Sequence, residues 1–161
     1  MLLIQISKRK EGSVLRCVRS DGSVTWQKQK GRHAAFFVLH DLTHFALESI
    51  LGCRQGFFGL IAEGWEIDDT TGKTGRGSLP LEAIEVESWV GLLDQERGGS
   101  TVWTADEFND AAALHAGSAR RPALRRLSGE ELARVKAKRA ELFSRWFALP
   151  AGETIELRFE L

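Results

Sequence analysis

The chain has 161 residues, 43% hydrophobic and 27% charged, with 22 basic and 22 acidic side chains. That length suits one domain, 1–161, with a sizeable core, and the composition is that of an ordinary soluble globular protein. The charge balance removes any global pull toward nucleic acid or an anionic membrane, and two cysteines, Cys17 and Cys53, are too few for a disulfide framework.

The first thirty residues read as a β-meander with strands at Leu2–Ser7, Val14–Arg19 and Val24–Lys28. A polar turn, Lys8 to Gly12, joins the first pair. Ser20-Asp21-Gly22-Ser23 joins the second, with Gly22 supplying the positive φ of a tight hairpin. The N-terminal charges follow a short apolar run, the reverse of a secretory leader. No stretch reaches the roughly 18 uninterrupted apolar residues of a membrane span. These features predict a cytoplasmic protein with both thiols reduced and buried.

The middle of the chain reads as helical, with about five helices. The first runs from about Ala34 to Leu51 and stops at Gly52, and a shorter one covers about Gln55 to Ala62. A third starts near Pro80, which suits a first turn, and ends before Gly98-Gly99. Thr104 with Glu107 makes a capping box for a helix ending at Gly117. Ser128 with Glu131 makes another, for a helix to about Ala148 stopped by Pro150. Polar loops are expected at Asp68–Ser78 and Ala116–Arg126. At the C-terminus Ile155, Leu157, Phe159 and Leu161 alternate with Glu156, Arg158 and Glu160, the clearest period of two in the chain. Having no sequence neighbour to pair with, that strand is expected to return to the meander. The predicted fold is α+β: a small antiparallel sheet of about four strands, made from both chain ends, covered on one face by helices.

The most informative segment is His40-Asp41-Leu42-Thr43-His44-Phe45-Ala46-Leu47-Glu48. At about 100° per residue, the apolar side chains take up most of the first helix's circumference. His40, Asp41, His44 and Glu48 share a sector of about 100°. The stripe holds only histidines and carboxylates, with no lysine or arginine to mark a solvated face, so it is expected to face a cleft. Histidines at i and i+4 can reach one ion. This predicts a divalent-metal site, zinc by donor type, with His40 and His44 as ligands. Asp41 or Glu48 would orient an imidazole or act on bound water. One straight helix cannot bring three ligands together over i, i+4 and i+8, because the ends are about 12 Å apart. The third ligand must come from elsewhere: Glu63, Glu66, Asp68, Asp69 or His115. Glu63 is preferred, because a reversal at Gly52 would fold the next helix back beside the first. The competing reading makes the histidines structural, hydrogen-bonded to nearby carboxylates without metal.

His-Asp-x-x-His resembles the HDxxH zinc-ligand motif of a ubiquinone-biosynthesis accessory family. A glutamate follows there twelve residues on, where this chain has Gly56. The same run differs by one residue from the HExxH of zinc metallopeptidases, with Asp41 in place of their catalytic glutamate. The spacing from His44 to Glu63 is similar to that family's third ligand. A longer likeness is to small uncharacterised bacterial proteins with a segment like HDLxHFxxE followed by GFxGxxAxG. Here these read His40 to Glu48 and Gly56-Phe57-Phe58-Gly59-Leu60-Ile61-Ala62-Glu63-Gly64. That likeness implies a family and no activity.

Other features carry less. Gly72-Lys73-Thr74 looks like the end of a phosphate loop, but Ile67 stands where its first glycine belongs. A flexible loop is expected, placed to act as a lid. Lys8-Arg9-Lys10 with Lys28, Lys30 and Arg32, and Arg120, Arg121, Arg125 and Arg126, read as solvated turns rather than a nucleic-acid surface. Glu82, Glu85 and Glu87 read as the wet side of their helix. Trp65, beside Glu63 and Glu66, could line a pocket. The chain therefore reads as a metal-binding protein and a candidate metal-dependent hydrolase of a small molecule, with Asp41 as base and Glu48 or Glu63 completing the metal shell. The alternative is a non-enzymatic binding or interaction protein. Self-association is compatible with either.

Overall fold

The computed structural model describes residues 1–160, and three strands open the chain: β1 (Leu2–Lys8), β2 (Ser13–Arg19) and β3 (Val24–Gln29). The fourth strand, β4 (Thr154–Phe159), pairs antiparallel with β1, Leu2 opposite Phe159 and Ile6 opposite Ile155. The sheet order is β3-β2-β1-β4 and every pairing is antiparallel. The expected return of the last strand is thus found; Leu161, the end of its alternation, lies outside the described residues. Period-two patterning sends Leu2, Ile4, Ile6, Leu15, Ile155 and Leu157 to one buried face.

Five helices lie between the strands: α1 (Ala34–Leu51), α2 (Phe57–Ala62), α3 (Leu81–Arg97), α4 (Ala105–Ser118) and α5 (Gly129–Ala148). A single 3-10 turn, Asp68–Thr71, follows α2. The two capping boxes read from the sequence are formed, at Thr104 and Ser128. Gly52 ends α1 in the left-handed conformation, φ 68°, its neighbour Cys53 N–H donating back to the Glu48 carbonyl. The ammonium of Lys8 donates to the carbonyls of Trp146 and Leu149, both at 2.7 Å, tying the end of β1 to the exposed C-terminus of α5.

The α1 helix is the central layer. One hydrophobic cluster joins its Val38, Leu42, Phe45 and Ala46 to the sheet, to Phe58 of α2 and to Leu142 and Trp146 of α5. A second joins its Leu47 to Val86, Trp89 and Val90 of α3, Phe108 of α4 and Val135 of α5. Packing on both sides explains why α1 is apolar nearly all round. By length and composition it would suffice to cross a membrane, yet 61% of it is buried in the fold. Both cysteines are buried and unpaired, and burial pushes their thiols up to about 12.

Candidate metal centre

The apolar face that sandwiches α1 leaves its polar stripe against α3. His40 pairs with Asp94 and His44 with Glu87, so the two helices run in opposite senses. The imidazole rings sit one helical turn apart with centroids at 4.8 Å. Each ring is fixed through Nδ1 by a different carboxylate: His40 donates to Asp94 Oδ2 at 2.7 Å, and His44 to Glu48 Oε1 at 3.0 Å. The remaining nitrogens converge on Glu87: His40 Nε2 lies 3.3 Å from Oε1, and His44 Nε2 lies 2.9 Å from Oε2. The donor atoms of His40, His44 and Glu87 all lie within 4.8 Å of one another, so this group could hold a metal ion. Ligands on a tetrahedral ion with bonds of about 2.1 Å stand about 3.4 Å apart, so binding needs only a small closure.

The two histidines differ in burial. His44 is 2% exposed, whereas the Glu87 side chain is 62% exposed. The centre therefore has an inner wall and an open outer ligand. Burial alone would depress both imidazoles. Asp94 and Glu87 overcome it at His40, which is held up at about 9, and Glu48 and Glu87 do the same at His44, held up at about 10. Burial would raise Glu87, but the two imidazoles pull its carboxyl well below the usual range.

Glu48 is the anchor of the inner wall and is fully buried. Its Oε2 accepts the backbone N–H groups of Phe58 and Gly59, at 3.0 and 3.2 Å, as α2 begins. A Cβ on Gly56 would overlap the Glu48 carboxylate, and one on Gly59 would overlap the Arg54 carbonyl. The Gly-Phe-Phe-Gly run is thus the cradle that lets the start of α2 close over Glu48. The φ of Gly56 is −74°, which alanine adopts freely, so Gly56→Ala isolates the steric cost. It should destabilise the protein by about 1–3 kcal/mol in urea unfolding. A loss within error would mean that Glu48 simply moves aside.

Asp41 lies in the wall of a cavity of about 480 Å³ that His40, His44 and Glu87 also line. Burial pushes its carboxyl up to about 6, against the lowering effect of the Gln29 amide, which donates to Oδ2 at 2.7 Å. Gln29 is in turn fixed by the Ser13 hydroxyl, which donates to Oε1 at 2.8 Å.

Of the residues singled out in the sequence, His40 and His44 converge, Asp41 lines the same cavity, and Glu48 orients His44 from behind. Glu63 needs correction as third ligand. The chain does reverse at Gly52, but it is the start of α2 that reaches α1, and Glu63 caps the opposite end and is exposed. Glu48 is likewise outside the convergent donor group, because its carboxylate faces Nδ1 of His44 and the amides. Glu66 pairs with Arg19, Asp69 is tied up within its own loop by Thr74 and Arg76, and His115 lies on α4 beside Ser88. The third donor, Glu87, comes from the acidic run expected to be wet. In that run Glu85 is fully buried against Arg121, and Glu87 reaches the histidines. One sequence signal pointed to it: Glu87, Gly91 and Asp94 fall at i, i+4 and i+7, one stripe of α3 with a small residue between two carboxylates. The chain has no match among protein-family models, curated proteins or solved structures.

Proposed function

We propose that His40, His44 and Glu87 bind one divalent ion, zinc by the chemistry of the donors, and that the protein is a metal-dependent hydrolase acting on a small molecule. The observation that carries this reading is the division of labour in the two rings. A buried or largely buried carboxylate holds each Nδ1, which fixes the ring and raises its basicity, while both Nε2 atoms face one further carboxylate at the edge of a cavity. Two histidines and a glutamate leave a coordination position for water, which an ion would acidify. Asp41 supplies the base. It borders the same cavity, and a carboxyl titrating at about 6 can take and return a proton near neutral pH.

Elemental analysis of tag-free protein purified without chelator tests the site. About one ion per chain is expected, lost in a His40→Ala, His44→Ala double variant and weakened in Glu87→Ala. No metal in the wild type, even after incubation with zinc, iron(II) and manganese(II), would overturn the reading. Asp41→Asn should keep the metal and lose turnover of small esters and amides in a hydrolase screen. Loss of metal in that variant would instead make Asp41 part of the shell.

A second reading has its own support. All four imidazole nitrogens already have carboxylate partners. Such a closed charge network can serve as a structural clasp between α1 and α3 in a non-enzymatic binding protein. Metal-free protein whose melting temperature is unchanged by chelator would favour this clasp.

A further inference from the structure

The cavity beside the histidines has a chemistry of its own. Its apolar walls are Phe37, Phe57, Leu60, Ile67, Leu79 and Ile84. Its polar walls, apart from the cluster, are Gln27, Gln29, Thr70 and Thr71. Among the described residues no lysine or arginine lines it. The nearby guanidiniums are engaged elsewhere: Arg97 lies over Phe36 and pairs with Asp94, and Arg76 lies over Trp65 and pairs with Asp69. Two imidazoles face four carboxyl groups, Asp41, Glu48, Glu87 and Asp94, so no positive charge is left over for an anionic ligand.

The hydrogen-bonding capacity leans toward acceptors. The Thr70 hydroxyl donates its proton to the Ile67 carbonyl at 2.6 Å, and the Thr71 hydroxyl to the Asp68 carbonyl at 2.8 Å. One Gln29 N–H is committed to Asp41, and its Oε1 to Ser13. What the wall offers a ligand is the lone pairs of Thr70, Asp41 and Glu87, beside the Gln27 amide, which can donate as well as accept.

We infer that the cavity takes a largely apolar molecule, uncharged or cationic, that presents N–H or O–H donors to this wall, and that its own side chains disfavour carboxylates and phosphates. The inference deepens the proposed function by narrowing its substrate class, and it rests on that reading only for the assignment of a reaction. The volume, about 480 Å³, falls within the range that encloses a small organic ligand. An anion entering the metal-free cavity would shed its hydration against carboxylates with no cation in return. Apart from the proposed ion no cation offsets an anionic group, so neutral amides or amidine-type compounds are favoured over phosphoesters and free acids.

Three probes of one shape and different charge test this: benzamidine, benzamide and benzoate, titrated at millimolar concentration into metal-free and zinc-loaded protein with binding followed by amide NMR shifts. Benzamidine and benzamide should shift resonances of residues 57–60 and 84–87 and bind metal-free protein at least about tenfold tighter than benzoate, about 1.4 kcal/mol. Thr70→Val, which removes a lone-pair donor at nearly constant shape, should weaken benzamidine and leave metal content unchanged. Equal or tighter binding of benzoate to metal-free protein, or failure of all three to bind, would overturn the inference. Benzamidine binding in a protein that takes up no metal would sink the metal reading alone. Metal uptake with a preference for benzoate in the metal-free form would sink this inference alone.

Discussion

Glu48→Ala should cost the metal-free protein about 3–5 kcal/mol of unfolding free energy, one of the two largest effects the site predicts. The carboxylate is fully buried, and removing it strands three donors at once: the His44 imidazole and the amides of Phe58 and Gly59. Breaking one side of a buried, hydrogen-bonded charge pair carries a cost of about that size, because the remaining charge has no water to turn to. Glu48→Gln should fall between. It keeps the shape and one acceptor, but sets an amide N–H against either an imidazole N–H or a backbone N–H. Urea unfolding at neutral pH measures both. A loss below about 1 kcal/mol for Glu48→Ala would mean that water or a relaxed α2 satisfies these groups, and that Glu48 is not what fixes His44.

That anchor was half legible in the sequence. The polar stripe of α1 could be read because its neighbours are uniformly apolar, and a helix with one narrow face of histidines and carboxylates has to place that face against something. The meander, the two capping boxes and the Gly52 stop were legible for a similar reason. Each is set by local chemistry: period-two patterning, a side-chain oxygen at an N-cap, a residue free to adopt positive φ. The partner of the stripe was not legible in this way. The α3 helix packs against α1 on one side and α4 on another, so its acidic residues are consumed at two interfaces, Glu87 and Asp94 by histidines and Glu85 by Arg121. From the sequence alone, carboxylates on a helix with apolar spacing look like a solvated face.

The misassigned Glu63 shows where local reasoning ends. A turn at Gly52 does bring α2 to α1, and the chain contacts Glu48 ten and eleven positions on, at Phe58 and Gly59. Which end of a six-residue helix arrives is a matter of tertiary packing. Gly56 and Gly59 held the clue, since a glycine pair at the start of a helix marks close approach of another group. A Cβ on Gly56 would overlap the Glu48 carboxylate, so the position is closed to a larger side chain while Glu48 holds its place.

Metal affinity should rise about a hundredfold per pH unit through the neutral range, because protons and the ion compete for the same two nitrogens. In the fold His40 and His44 titrate at about 9 and about 10, above the ordinary imidazole value of 6.5. Near pH 7 both Nε2 atoms therefore carry protons that an ion has to displace, while the depressed Glu87 carboxyl is already ionised. Isothermal titration with zinc in two buffers of different ionisation heat should find about two protons released per ion. Stability of the metal-free protein should move the opposite way. A group whose folded pKa is raised stabilises fully below its unfolded value and loses that contribution as pH climbs through the folded one. The imidazolium contribution is thus complete below about 6.5 and fades as pH passes about 9 to 10, while the smaller contribution of protonated Asp41 is already lost by about 6. Raising pH from neutral toward 10 should then lower the melting temperature of the metal-free protein and widen the gap to the zinc-loaded form. A proton count near zero, with an affinity flat in pH, would mean that the ion sits elsewhere and leaves the clasp between α1 and α3 intact.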